Sequence, residues 1–310
     1  MKPRVSIIIP NYNSGAFLKE ALASALYQTY DNLQIIVVDD GSTDESWQAA
    51  QDVPGVKLIR KKNEGAPAAR NVGLENADGD YIKFFDADDV LMPNAIAQQV
   101  SHQVTLPADG VTYGDLAWFG LKNRGFGNKS VRPGHCSDIV RNNILTSTPL
   151  LKRASVVDIG GFDPSIRRSQ EWDLHVRLAA AGARFFYKPI PVYLYRKHAE
   201  IDRISVNNAR ELQRKRLNTI SRTYDSVRDR IDHETAMAFV DKAISIARLR
   251  STSVNSELWK AIFDFVRSVS GEQSKVDGAP NGWKYLPARA EWRTKAYKCT
   301  QLLTSYRKPK

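Results

Sequence analysis

Tyr81-Ile82-Lys83-Phe84-Phe85-Asp86-Ala87-Asp88-Asp89 is the stretch on which the fold of this chain turns. Its first five residues are aromatic and β-branched around one lysine, the composition of a buried strand. Three carboxylates within four residues then follow, which no buried strand tolerates unpaired. A strand that runs into an Asp-x-Asp turn delivers hard oxygen donors to the rim of a sheet. Such donors suit Mg²⁺ or Mn²⁺, and through the ion a diphosphate. An acidic turn that merely caps the helix beginning near Met92-Pro93-Asn94 has the same composition, so the flanking segments decide between the two readings.

Towards the N-terminus lie three more strand-like runs, each ending in polar residues. Val5 to Ile9 is a continuous β-branched run typical of a central parallel strand. It stops at Pro10-Asn11-Tyr12-Asn13, where proline ends the ladder. Ser14 is a suitable N-cap for a helix whose apolar residues, Phe17 to Leu26, recur at three- and four-residue spacing. Leu33 to Val38 ends in Asp39-Asp40-Gly41-Ser42-Thr43-Asp44. Val56 to Arg60 leads through Asn63-Glu64-Gly65 into a helix that carries Arg70 and Asn71. The alternation predicts an open, doubly wound, mostly parallel α/β sheet with helices on both faces. Ligands of such sheets bind outside the carboxyl ends of the strands, where Asn11, Asp39, Asp40, Asp86 and Asp88 converge. A GxGxxG after the first strand and a GxxxxGK[ST] are both absent, which argues against a dinucleotide site and a P-loop.

The chain has 310 residues, with ordinary hydrophobic (42%) and charged (25%) fractions, enough for one large domain and an appendage. The net charge of +11 is unevenly spread. Residues 1–200 hold 23 Lys and Arg against 22 Asp and Glu, whereas residues 201–310 hold 22 against 12. Two cysteines, Cys136 and Cys299, make neither a disulfide framework nor a zinc site and read as free thiols of a reducing compartment. Val5 to Ile9 is too short for a signal-peptide core, and no run approaches 18 apolar residues. The expectation is a cytoplasmic protein, or one lying on the inner face of the cytoplasmic membrane without crossing it.

Beyond the opening stretch, Val111-Thr112-Tyr113 reads as a strand and Gly120 to Gly134 as a glycine-rich connector. Gly160-Gly161-Phe162-Asp163 is a tight turn. Ser169-Gln170-Glu171-Trp172-Asp173-Leu174 opens a helix whose acidic first turn also complements the helix dipole. A strand from Arg184 and the run Val192 to His198 close the domain near residue 205. Only helices follow, with apolar stripes at Leu212 to Ile231, Ala236 to Ala247 and Leu258 to Val269. The division expected is 1–205 for the α/β domain and 206–310 for a basic helical extension.

In order along the chain, Val5 to Asn13, Val37 to Asp44, Asn63-Glu64-Gly65 with Ala69-Arg70-Asn71, Asp86-Ala87-Asp88-Asp89, Gly160 to Asp163, and Glu171-Trp172-Asp173-Leu174 resemble the family 2 glycosyltransferases of the GT-A fold. The resemblance covers residues 4–205 and leaves the helical tail outside it. It implies that Pro10, Asn11, Tyr12, Asn13 and the pair Asp39/Asp40 hold the nucleotide, with Asp40 accepting the uracil imide N–H. Arg70 would face the base or diphosphate and Asp86 the ribose. Asp88, with His198 near it, would bind Mn²⁺ or Mg²⁺. Glu171 stands where many relatives carry Asp; with Asp173 it supplies the general base, and one base in a direct displacement means inversion. Asp163 and Trp172 would line the acceptor side. Asp89 is left to cap the next helix.

The resemblance thus implies an inverting, metal-dependent transfer from a UDP-sugar to a hydroxyl of a glycan or lipid-linked acceptor in surface polysaccharide synthesis. A sugar nucleotidyltransferase would carry a glycine-rich, lysine-containing loop after the first strand, and Asn11 to Gly15 lacks one. A non-catalytic sugar- or RNA-binding protein would not need acidic residues at both 88 and 171. The basic tail shows no nucleic-acid module. Its terminal aromatics and cations, Trp292 to Lys308, suit an amphipathic helix on an anionic leaflet.

Overall fold

The computed structural model describes residues 2–120, 130–197, 209–248 and 256–270. His198, most of the glycine-rich connector, the 271–288 linker and the terminal segment Trp292 to Lys308 lie outside the described residues. The chain forms two compact units, Met1–Ser253 and Val254–Lys310.

The first unit opens with the expected alternation. It comprises β1 (Val5–Asn11), α1 (Gly15–Leu26), β2 (Leu33–Asp39), α2 (Ser46–Gln51), β3 (Val56–Arg60), α3 (Ala66–Glu75) and β4 (Tyr81–Phe84). These four strands lie parallel in the order β3-β2-β1-β4. All seven residues of β1 are buried, which is why its sequence is an unbroken apolar run rather than an alternation. Helix α3 can lie close against β1 because Gly73 has no side chain: a Cβ there would fall 2.2 Å from Ile8 Cγ2.

The second half continues with β5 (Val90–Leu91), α4 (Ala95–Gln103), β6 (Gly110–Gly120), α5 (Cys136–Arg141), β7 (Pro149–Lys152), α6 (Arg153–Asp158), α7 (Gln170–Ala180) and β8 (Arg184–Lys197). Strand β7 runs antiparallel to both β4 and β6, β6 runs parallel to β8, and β5 pairs antiparallel with β8. The sheet order is β3-β2-β1-β4-β7-β6-β8-β5. Strand β6 is much longer than its apolar core, Val111 to Tyr113, because register shifts around Asp115 let it keep pairing with β8.

Helices α8 (Ala209–Val227) and α9 (His233–Arg248) fall within the expected 206–310 extension, yet they belong to the same compact unit as the sheet. Trp172 of α7 packs edge-on against Phe239 of α9, with ring centroids 5.8 Å apart. Thr223 of α8 donates to Asp173 of α7 at 2.7 Å. The second unit contains α10 (Ser256–Ser270), an amphipathic helix with Leu258, Ile262, Phe265 and Val266 on one face. No helix among the described residues is long and apolar enough to cross a membrane.

Candidate functional site

The carboxyl ends of β1, β2 and β4 meet at one edge of the sheet. The β1–β2 register places Asn11 directly beside Asp39. β4 pairs with β1 up to Phe84, so Asp86 emerges just past the last paired residue. Pro10 is buried in β1 and leaves the polar work to its neighbours.

Asn11 Nδ2 donates to Asp39 Oδ1 and to Ser42 Oγ, each at 3.1 Å. Asn11 Oδ1 and Asp39 Oδ2, on residues 1% exposed, have no hydrogen-bond partner, although Arg60 Nε lies 3.3 Å from Asp39 Oδ2. Buried acceptors left open cost stability and are spent where a ligand donor completes them. Asn13 adopts a left-handed φ of 50°, which Asn tolerates, and its Oδ1 accepts from Thr43 N. That turn is thereby pinned to the 42–43 loop and leaves Tyr12 half exposed at the rim.

Asp40 faces inward. Its carboxylate accepts from Lys61 Nζ at 2.8 Å and from the backbone N–H groups of Glu64 at 3.0 Å and Gly65 at 2.7 Å. Both oxygens are engaged in holding the 61–65 loop, whereas Asp39 Oδ2 meets only the Arg60 guanidinium, at 3.3 Å. Ser14 likewise differs from expectation. Its side chain bonds to Tyr12 O rather than capping α1, and the carboxylate of Asp44 accepts the Gly15 N–H instead.

Arg70, 4% exposed, joins the Asp86 turn to the start of α7. Its guanidinium donates to Asp86 Oδ1 at 2.5 Å and to Gln170 Oε1 at 2.9 Å, over the ring of Phe162. The residue expected to face a nucleotide is therefore a tether between the Asp-x-Asp turn and the helix that carries Glu171. Glu171 is half-buried and accepts from Asn143 Nδ2 at 3.0 Å. Asp173 is 2% exposed, bound by Arg177 at 2.7 Å and by Thr223 at 2.7 Å. Arg177 also donates to Ile159 O and Gly161 O, so this carboxylate ties α7 to the glycine turn. Trp172 is buried, with Nε1 donating to Val140 O, and offers no open face for stacking. Asp163 caps its own turn by accepting from Ser165 N and Oγ; although burial acts upward, these bonds hold its carboxyl below the usual range.

At the Asp-x-Asp turn, Asp86 and Asp88 are half-buried and Asp89 is buried. Asp89 does not cap α4. Its Oδ1 accepts the Arg196 N–H at 2.9 Å, while Arg196 Nε donates to Asp88 O. Burial and the neighbouring Asp86 and Asp88 charges push the Asp89 carboxyl up to about 9. β8 thus crosses the turn two residues before His198. No group of three His, Cys, Asp or Glu side chains among the described residues could hold a metal alone. Mg²⁺ and Mn²⁺ at such rims need only one or two carboxylates, with phosphate and water completing the shell. The excess negative charge of the turn and its hard oxygen donors fit a cation completed in that way.

Sequence reading missed Gln170 and Asn143, the partners of Arg70 and Glu171. The first adjoins a quoted motif; the second is a single loop asparagine with no pattern around it.

A mostly parallel sheet with an acidic carboxyl edge and a helix-borne carboxylate opposite defines the GT-A class. The crystal structure of S. aureus TarS 1-349 in complex with UDP-GlcNAc superposes with a TM-score of 0.70 at 19% identity, covering 86% of this chain and 81% of that one. The mannosyltransferase PcManGT from Pyrobaculum calidifontis, in complex with GDP-Man and Mn²⁺, has a TM-score of 0.56 at 17% identity, covering 99% and 86%. At these identities the likeness establishes the fold. Residues 6–145 match Glycosyl transferase family 2. An uncharacterised glycosyltransferase of Rickettsia felis is 31% identical over 224 residues, 67% of this chain and 36% of the relative. Glycosyltransferase GlyG of Streptococcus pneumoniae is 40% identical over 102 residues, 31% of this chain and 34% of the relative. The chain spans about a third of the length of these two curated relatives.

Proposed function

We propose that the chain transfers a sugar from a UDP-sugar to an acceptor hydroxyl with inversion, using Glu171 as the base. The observation that carries this reading is the Arg70 tether, which fixes the Asp86–Asp88 turn beside the first turn of α7. Asn11 Oδ1 and Asp39 Oδ2, neither with a hydrogen-bond partner, supply acceptors for a uracil imide N–H, and Tyr12 an aromatic face for the base. This assigns the imide to Asp39 rather than Asp40, whose oxygens are already occupied. Asp86, held by Arg70, borders the ribose, and Asp88 would hold Mn²⁺ or Mg²⁺ with His198 as the second candidate. Bound there, the ion supplies Lewis-acid neutralisation of charge on the departing nucleoside diphosphate. Glu171 takes the proton from the acceptor hydroxyl as that oxygen attacks the anomeric carbon from the face opposite the diphosphate. The anomeric carbon–phosphate oxygen bond breaks in the same displacement. Asn143 orients the base through its 3.0 Å bond. Asp173 orients the helix rather than the proton transfer.

The TarS structure with UDP-GlcNAc and the PcManGT structure with GDP-Man and Mn²⁺ support a nucleotide-sugar donor and a divalent ion. A glycan or lipid-linked acceptor in surface polysaccharide synthesis, reached through peripheral attachment of the basic terminal segment, completes the reading. Liposome flotation tests the attachment: a chain truncated near residue 285 should lose binding to anionic vesicles. The function itself is tested by turnover of UDP-, GDP- and dTDP-sugars with Mn²⁺. Activity with a UDP-sugar that Asp88→Ala abolishes is the expected result, and undiminished turnover by Asp88→Ala would overturn it.

A further inference from the structure

Residues of α7, α8 and α9 line a half-open cavity of ≈ 190 Å³, many times the space a single water needs. Two cations from different helices, Arg216 of α8 and Lys242 of α9, line it together with Thr219, Ser245, Asn143 and Trp172. Thr219 donates to Lys215 O and keeps its oxygen lone pairs for another donor or a water. Lys242 lies over the Trp172 ring, 5.2 Å from its centroid, and reaches only a carbonyl, Arg141 O at 3.5 Å. Among the described residues no carboxylate makes an ion pair with Arg216 or Lys242. Half-buried cations sharing a cavity repel one another, and that cost is recovered when an anion enters. Burial takes Lys242 down to about 8; the charge of Glu171 opposes the shift and that of Arg216 adds to it, so Lys242 senses both. Ser169, on the cavity wall, is one of two non-glycine residues with positive φ among the described residues, at 54°. Such backbone strain concentrates at functional positions.

We infer that this cavity binds a phosphate group carried by the acceptor, so that the sugar is delivered to a phosphate-bearing glycan or lipid. The inference rests on the reading of Glu171 as the base. Asn143 touches both the cavity and Glu171 Oε1, so an acceptor anchored by its phosphate presents a neighbouring hydroxyl to that carboxylate. Arg216 and Lys242 provide the charge and the hydrogen-bond donors, and Ile220 and Ile246 add apolar wall. An uncharged glycan would leave both cations without an ion-pair partner in the cavity, which selects against it.

The test uses the full chain with UDP at saturation, so that the diphosphate site is closed. Glucose 6-phosphate and glucose serve as probes in isothermal titration. Glucose 6-phosphate should bind about tenfold or more tightly than glucose, a difference carried by charge-assisted bonds. Arg216→Gln with Lys242→Gln should remove that preference, while Arg216→Lys with Lys242→Arg should retain it. Equal affinity of the wild-type chain for the two probes, or an undiminished preference in the glutamine variant, would overturn the inference. The wild-type comparison stands even if the glutamine variant fails to fold. UDP binding and donor hydrolysis, read in the same samples, report on the donor reaction alone. Their absence would remove the glycosyl-transfer reading without touching the preference between the probes.

Discussion

Replacing Arg70 by Met removes the tether and tests whether the site is built as described. The guanidinium makes two charge-assisted bonds, to Asp86 at 2.5 Å and Gln170 at 2.9 Å, and stands 5.4 Å from the centre of the Phe162 ring. Each such bond contributes about 1.5–3 kcal/mol, and the ring contact about 0.5–1 kcal/mol. Asp86 keeps 33% of its side chain in solvent and can rehydrate, which returns part of that energy. A net loss of about 3 kcal/mol is expected, and at about 2–4 °C per kcal/mol for a unit of this size the melting temperature falls by roughly 6–12 °C. The methionine fills much of the volume, so the variant should still fold. Donor turnover, measured well below the new midpoint, should fall by about a hundredfold because the Asp-x-Asp turn and Glu171 lose their fixed separation. Arg70→Lys keeps the charge opposite Asp86 but cannot fork to Gln170, and should lie between the two. A calorimetric melt and a turnover rate that both match the wild type in Arg70→Met would refute the tether.

Two further perturbations follow from the same geometry. Asp39→Asn should weaken UDP binding by about tenfold, because the proposed reading makes its Oδ2 the imide acceptor, as isothermal titration would reveal. Asp40→Asn should do the reverse, costing about 1–3 kcal/mol as its amide meets the Glu64 or Gly65 N–H, with UDP affinity nearly kept. His175, 1% exposed and packed edge-on against Phe185, is held neutral by burial and titrates at about 4. Its folded value lies below its unfolded one, so the unfolded chain binds the extra proton first. The stability is complete above about pH 6.5 and is lost as pH falls towards 4, by about 2 kcal/mol at pH 5. Urea titrations at pH 7.5 and 5 would expose this term, and His175→Phe should flatten it.

How far the sequence could be read depended on whether a signal was local. β1 to β4 were legible because a strand buried on both faces must be apolar throughout, and each ended in residues that stop a ladder. The position of Asp86 followed from the same logic. The roles within the acidic pairs were not legible, since Asp39 and Asp40 differ only in which way the backbone turns after β2. Asp40 turned inward because the 61–65 loop offered it two N–H groups and a lysine. Asp173 was read as helix-dipole and catalytic charge. Its actual partners include Thr223, fifty residues later, on a helix with no motif to mark it. The resemblance puts Trp172 on the acceptor side, and its packing against Phe239 on α9 buries it in the core instead. The cavity beside it arises from three helices converging, which no local pattern announces.

The central claim is that Glu171, and not Asp173, takes the acceptor proton at a site that binds a nucleotide-sugar. Its most direct test is single-turnover transfer by Glu171→Gln, compared with UDP affinity in the same variant. The account predicts a fall of about 10²–10⁴-fold in the rate with UDP affinity unchanged. Transfer by Glu171→Gln at the wild-type rate would contradict it.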